Sequence, residues 1–290
     1  MKKGKQSMIL TLLLLMISWV SGDRVWFNDN TDTQLVIDQD YNDHNVFIVN
    51  GTTVTMNDGA ITAPSKTDDG EDAIRVEDAT FIANNGSIKG GVEIGGTGVT
   101  ISTTRGSDIP GSATFNAGVE VYGGDATRVD TTKAGDAVQI LQSGSKATFN
   151  GGRFVPGTGC TIKVCGVQTD NGNAIQIIQG EAIIYGGAFD GNIYNLGGNV
   201  EVHGCVLYDE EAGTITGTLV DGSDINVKYV QPNGQNRPPS IVYQEEVCPK
   251  EETESVPASE TSDGSTIMTL TAFVYISLGF IFGVVSIRLM

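Results

Sequence analysis

A triplet that returns at a fixed interval limits this chain more than any other feature. Ala79-Thr80-Phe81 recurs as Ala113-Thr114-Phe115 and as Ala147-Thr148-Phe149, each step being 34 residues. Phe47 lies another 34 residues upstream, and Ala182-Ile183-Ile184 continues the series with a slip of one residue. The residues after each triplet are shared as well: Asn116-Ala117-Gly118, Asn150-Gly151-Gly152, then Tyr185-Gly186-Gly187. A constant period of this size in a Gly-rich chain of short β-rich runs is the mark of stacked coils. Each coil lies on its predecessor, so like positions superpose. The period therefore predicts Phe47, Phe81, Phe115 and Phe149 as one internal aromatic column.

The runs themselves are strand-like. Val46 to Val49, Thr53 to Met56, Ala73 to Val76, Val99 to Ile101, Ala137 to Ile140 and Ala174 to Ile177 are rich in β-branched residues and are separated by Gly, Asn and Asp corners. Nothing between residues 23 and 243 has the period of an amphipathic helix. The expected fold class is all-β, a right-handed parallel β-helix (a solenoid) over 23–243, with a β-sandwich as the alternative. Both ends of such a rod need covering. Trp26 and Phe27 are candidates at one end, Pro238-Pro239 and Ile241 to Tyr243 at the other.

Residues 1–22 read as a secretory signal peptide. Lys2, Lys3 and Lys5 precede an apolar stretch from Met8 to Val20, and Val20-Ser21-Gly22 supplies small residues before Asp23. Ile267 to Ile287 is an uncharged run of 21 residues followed by Arg288. That is about the 20 residues needed to cross a bilayer, so 266–288 is expected to be a transmembrane helix. The topology would be single-pass type I at the cell surface. Ser262-Asp263-Gly264 just upstream also suits a glycolipid-anchor signal. Between body and anchor, 244–265 carries seven acidic residues against Lys250. It is expected to be a disordered spacer.

The net charge is −18, and removing Lys2, Lys3 and Lys5 with the leader makes it −21. Such a surface disfavours nucleic acid. Two histidines, His44 and His203, are too few for an imidazole-built zinc site. Stacking turns sequence positions into surface columns, and three can be read. Tyr122, Asn150, Tyr185 and His203 precede Gly corners and point outward, where rings and amides can hold a sugar. Arg75, Gln139 and Gln176 form a second outward column, read as a structural amide ladder. The third is acidic. Asp72, Asp136 and Asn173 stand before strands, with Asp108 and Asp170 in comparable corners. Calcium is the cofactor that Asp72, Asp108, Asp136 and Asp170 could hold between coils. No Lys or Arg is singled out by spacing beside these carboxylates, so no catalytic residue is assigned.

Cys160, Cys165, Cys205 and Cys248 are expected to pair fully in an oxidising compartment, with Cys160–Cys165 and Cys205–Cys248 the favoured connectivity. Asn50-Gly51-Thr52 and Asn85-Gly86-Ser87 are glycosylation acceptors in form.

The coil pattern resembles the pectate-lyase-like right-handed β-helix superfamily. The runs Phe149-Asn150-Gly151-Gly152-Arg153-Phe154 and Tyr185-Gly186-Gly187-Ala188-Phe189 are similar to repeats in surface adhesins of that fold. The resemblance is one of architecture over the body. It implies polysaccharide lyases, hydrolases and epimerases, and also binding rods. The residues favour a non-catalytic, membrane-anchored module that binds glycan or a surface protein. The alternative is a membrane-tethered polysaccharide lyase or epimerase.

Overall fold

The computed structural model describes residues 18–21, 24–28, 34–64, 71–92, 95–127, 133–162, 168–232 and 237–248. Most of the leader, the spacer beyond 248, the apolar segment 266–288 and Cys165 lie outside these residues. Within them the chain is all-β, and no helix is long and apolar enough to cross a membrane. The strands, numbered β1 to β20 along the chain, form one sheet of mostly parallel neighbours, nearly closed round an axis.

Three walls make up each coil. Wall 1 stacks β2 (Arg24–Asn28), β5 (Asn45–Val49), β8 (Ile74–Glu77), β10 (Val99–Ser102), β12 (Val138–Ile140), β14 (Ile175–Ile177), β16 (Ile193–Asn195) and β19 (Asp224–Val230), all parallel. Wall 2 begins with β3 (Gln34–Ile37) and β6 (Thr53–Met56). It continues through the first halves of β9 (Thr80–Lys89), β11 (Ser112–Tyr122), β13 (Lys146–Val155), β15 (Glu181–Phe189) and β17 (Asn199–Asp209). It ends on β20 (Ser240–Tyr243). Wall 3 starts with β4 (Tyr41–Asn42) and β7 (Ala60–Thr62) and continues through the second halves of β9, β11, β13 and β15. This continuous parallel pairing replaces the two facing sheets of the sandwich alternative.

Walls 2 and 3 are joined inside single strands. Phe149 and Phe154 are both fully buried, with ring centroids 4.9 Å apart. Five residues of straight strand would separate them by about 17 Å. The strand therefore turns a corner between them, where its register shifts and Gly152 takes φ 91°. That is the left-handed region that costs glycine nothing.

The interior follows the period of two. In wall 1 the inward residues are Val46 and Ile48, Ile74 and Val76, Val99 and Ile101, Val138 and Ile140, Ile175 and Ile177, all essentially unexposed. The aromatic interior differs from the repeat count. Phe115 and Phe149 do superpose, with centroids 5.3 Å apart and rings 19° from parallel. Phe81, though fully buried, pairs with Ala113, and Ala83 takes the place opposite Phe115. Large and small are exchanged between neighbouring coils, which keeps the volume filled. Phe47 is not in the column. It lies on the outer side of wall 1, stacked on Trp26 at 4.3 Å, with the Arg24 guanidinium above it. Phe154 and Phe189 from wall 3 complete the aromatic core instead, edge-on to Phe149.

Between walls 3 and 1 the corner is made of glycine backbone. Amide N–H groups of Gly96, Gly124, Gly135, Gly157 and Gly172 donate in turn to the carbonyls of Gly91, Gly96, Gly124, Gly135 and Gly157 at 2.7–3.0 Å. A Cβ on Gly124 would lie 1.8 Å from the Gly91 oxygen, so no side chain fits there. Six of the 38 glycines stand in this column.

Of the expected end covers, Phe27 is core, while β1 (Ser18–Ser21) pairs antiparallel along β2. At the other end β18 (Thr214–Leu219) and β19 form an antiparallel ribbon with the outer half of β17. There the core closes on a polar contact, the buried Asn195 amide donating to the Tyr229 hydroxyl at 2.8 Å.

Candidate functional site

The bend between walls 2 and 3 carries a line of like-placed side chains. Met56, Ala83, Phe115, Phe149, Ile184 and Val202 pair in register from coil to coil and all point inward. The residue after each points outward. These are Asn57, Asn84, Asn116, Asn150, Tyr185 and His203. The four amides form a ladder. Asn84 Nδ2 donates to Asn57 Oδ1 at 2.8 Å, Asn116 Nδ2 to Asn84 Oδ1 at 2.7 Å, and Asn150 Nδ2 to Asn116 Oδ1 at 3.0 Å. Asn57, Asn84 and Asn150 are exposed and Asn116 is half-buried.

Beyond Asn150 the register shifts, Gly186 standing opposite it, and two rings follow on the next strands. Tyr185 and His203 face each other with centroids 4.2 Å apart and planes tilted by 31°. His203 is the deeper ring, and its Nε2 bonds the Glu201 carboxylate. A carboxylate accepts, so Nε2 is the donor of this bond. Nδ1 is buried and finds no partner among the described residues. Tyr185, half-buried, is the ring nearer solvent.

A groove opens at the other edge of wall 2, where the corners before β13, β15 and β17 lead into it. It has a volume of about 530 Å³ and is lined by Ser143 to Lys146, Gln179 to Glu181, Gly197 to Asn199 and Arg237. A second cavity of about 440 Å³ shares Glu181, Gly198, Asn199 and Arg237 with it and adds Glu201 and Ser240. Lys146, Glu181 and Asn199 are register partners at the start of their strands. Lys146 Nζ stands 3.2 Å from Glu181 Oε2, and Arg237 Nη1 donates to the Gly197 carbonyl at 2.7 Å. Glu201 belongs to both features, since it lines the second cavity and holds His203.

Of the four residues expected to share an outward column, the structure stacks Tyr185 on His203, ends the amide ladder on Asn150 one strand away, where a register shift sets Gly186 opposite it, and leaves Tyr122 out. Tyr122 ends β11 on wall 3, paired with Val155. Its hydroxyl donates to Glu120 Oε2 at 2.7 Å. That bond to a carboxylate, and then burial, push its pKa up. Gln139 and Gln176 bond each other on the outer side of wall 1, with Arg75 in the same register.

The carboxylates named for calcium do not converge. Asp136 is buried and already engaged by Lys133 Nζ at 2.8 Å, by the Asn173 amide N–H at 2.6 Å and by Asn173 Nδ2 at 2.8 Å. Burial pushes the Asp72 carboxyl above its ordinary range, against weaker opposing influences of nearby Thr100, Arg75 and Thr97. Asp108 is exposed in the loop between β10 and β11, and Asp170 is exposed at the corner that bridges to Lys133. Among the described residues no three His, Cys, Asp or Glu side chains come together as a metal site.

Cys205 and Cys248 form a disulfide, as the favoured connectivity has it. Cys160 is likewise no free thiol. Asn50 sits exposed at a turn with φ 58°, its Nδ2 on Asn28 Oδ1, and Asn85 is exposed beside Asn84 at the bend.

Sequence reasoning missed Asn57, Asn84 and Asn116 as members of the line. The signal was present: each, like Asn150, stands two residues before a glycine. The groove residues Lys146, Glu181, Asn199 and Arg237 had no such signal, because the corner that gathers them varies in length.

Compared with protein-family models, curated proteins and solved structures, the chain matches none.

Proposed function

We propose that the chain is a non-catalytic binding module displayed on a cell's outer face, with the outer side of wall 2 as its contact surface and glycan or a surface protein as its ligand. The observation that carries this reading is the Tyr185–His203 ring pair, joined through Glu201 to the second cavity. A ring with one open face and polar neighbours is the arrangement that stacks on a sugar and fixes its hydroxyls. The right-handed parallel β-helix is the form of coil that the period and the parallel walls suit best. A leader over 1–22 and an anchor over 266–288 would put it outside the membrane, on the spacer 244–265. Exposed Asn50 and Asn85 suit glycosylation there.

A glycan array probed with the full chain tests the reading. Binding is expected to a defined set of glycans and to be lost in Tyr185→Ala. An array without signal, together with a surface-protein screen indifferent to Tyr185→Ala, would refute it. Release of intact protein by phospholipase would select the glycolipid anchor over the spanning helix.

A polysaccharide lyase or epimerase is the second reading, and the groove is what favours it, since Lys146 and Arg237 stand beside Glu181 and Glu201. It ranks second because Lys146 is paired with Glu181 and Arg237 with a carbonyl. Cations already engaged by protein groups are not free to meet a substrate proton. Unsaturated products from an acidic polysaccharide would reverse the order.

A further inference from the structure

We infer that the asparagine ladder and the Tyr185–His203 pair form one continuous subsite for an extended, neutral, equatorially linked polysaccharide lying along the coil axis. The inference rests on the glycan reading above and specifies its ligand.

A side-chain amide has two N–H donors and an oxygen with two lone pairs. Each inner rung, Asn84 and Asn116, gives one donor to the rung before and accepts one from the rung after. One donor and one lone pair remain on each, on side chains that are exposed or half-exposed. The two rung-to-rung bonds fix the plane of each amide, so the unused donors and acceptors repeat in the same orientation. Their spacing is that of parallel strands, about 4.8 Å. From Asn57 to His203 the line crosses six coils, a length of about 24 Å.

The ligand must present paired donors and acceptors at that repeat, and at one end a face that stacks on a ring. A pyranose chain with equatorial linkages advances by roughly one strand spacing per sugar, has hydroxyls that both donate and accept, and has apolar ring faces. The ladder itself carries no charge, and Glu201 holds its terminal ring on a chain of net charge −18. This favours neutral sugars over uronates. A peptide strand fits less well, since strands bind at sheet edges where backbone groups are free. The ladder lies on the outer side of paired strands.

The full chain is titrated calorimetrically with soluble cello-, chito-, xylo- and manno-oligosaccharides of increasing length. Affinity for one series should rise with each added sugar until the line is filled. Asn84→Ala and Asn116→Ala should weaken the longest oligosaccharide by about tenfold, the size of one or two net hydrogen bonds, and leave the disaccharide unchanged. Tyr185→Ala should weaken both. Binding without length dependence, or loss on Tyr185→Ala with none on Asn84→Ala and Asn116→Ala, confines the ligand to the rings and overturns the inference while sparing the proposed function. An equal loss at every length with a lowered Tm makes the ladder purely structural and also overturns it. Absence of any glycan binding by the unaltered chain removes the glycan reading as well.

Discussion

Walls 1 and 2 are built alike inside and differently outside. Both stack parallel strands in register, and both bury every second residue. On the outer side of wall 1 the residue type changes from coil to coil: Trp26, Phe47, Arg75, Thr100, Gln139, Gln176, Tyr194. Its middle is covered, Thr100 being only 2% exposed. The outer side of wall 2 ends in four successive asparagines and two rings, with Asn57, Asn84 and Asn150 open to solvent. Packing explains a repeated inside, because every coil must fill the same cross-section. It does not call for a repeated outside. Wall 1 shows that a coil stacks well with outward residues of any type, so the uniform line on wall 2 answers to something other than the core.

Phe47 and Phe115 test the comparison most severely. They are two periods apart in the sequence, yet one is outside wall 1 and the other inside wall 2. Phe115→Ala should cost about 3–5 kcal/mol, since it empties a fully enclosed position. Phe47→Ala should cost about 0.5–1.5 kcal/mol, the loss of one ring contact on a half-exposed surface. Urea unfolding of the two variants decides. Equal costs would put both rings in one column, as the bare count suggests, and the three-wall description would fail.

That pair also shows how much of the fold is legible in the letters. The strands are legible because β-branched residues alternate with polar ones, and the inside of wall 1 comes directly from that alternation. Superposition is legible only where the length of a coil equals the interval of the letters. The coil from Phe115 to Phe149 is 34 residues long and the two superpose, whereas the coil from β9 to β11 is 32. The spatial partner of Phe81 is therefore Ala113, at an interval of 32, although the letters repeat at 34. Identical letters two places out of step conceal the exchange of Phe and Ala. For the same reason the pattern assigns Tyr122 to a line it does not join. It precedes a glycine as Tyr185 does, but at the far end of wall 3. Asp136 reads as a metal ligand because a sequence cannot show that Lys133 and Asn173 already occupy it.

The next effect in size separates the ends of the two walls. Wall 2 finishes on β20, which the Cys205–Cys248 bond ties down after 43 residues of chain. The double variant Cys205→Ser with Cys248→Ser should lose about 2–4 kcal/mol of stability. Hydrogen exchange should show the loss first in the β17–β20 pairing and not in wall 1. Uniform loosening of both walls would mean that the bond supports the whole coil. A smaller contrast sets Asn116→Ala against Gln139→Ala. Each removes an amide from an outer ladder, with two rung-to-rung bonds lost on wall 2 and one on wall 1. At about 1 kcal/mol per net hydrogen bond, Asn116→Ala should cost about twice as much. Equal costs would show that the wall 2 ladder adds nothing to stability beyond a single exposed pair.

The smallest effect is a difference in pH response, and it belongs to wall 1. Asp72 lies two residues ahead of β8, where burial raises its pKa against weaker influences of Thr100, Arg75 and Thr97. The folded chain then holds a proton that the unfolded chain has already released. Between the ordinary carboxylate value, about 3.9, and the raised one, the native state binds more protons, so stability falls as pH rises through that window. Asp72→Asn removes the carboxyl and with it this slope. The variant should be more stable than the unaltered chain above the window, and the advantage should vanish below a pH of about 3.9. Paired Tm curves against pH read the difference directly. Curves that stay parallel across the window would mean that water reaches Asp72 freely, and the covered centre that sets wall 1 apart from wall 2 would have to be withdrawn at that position.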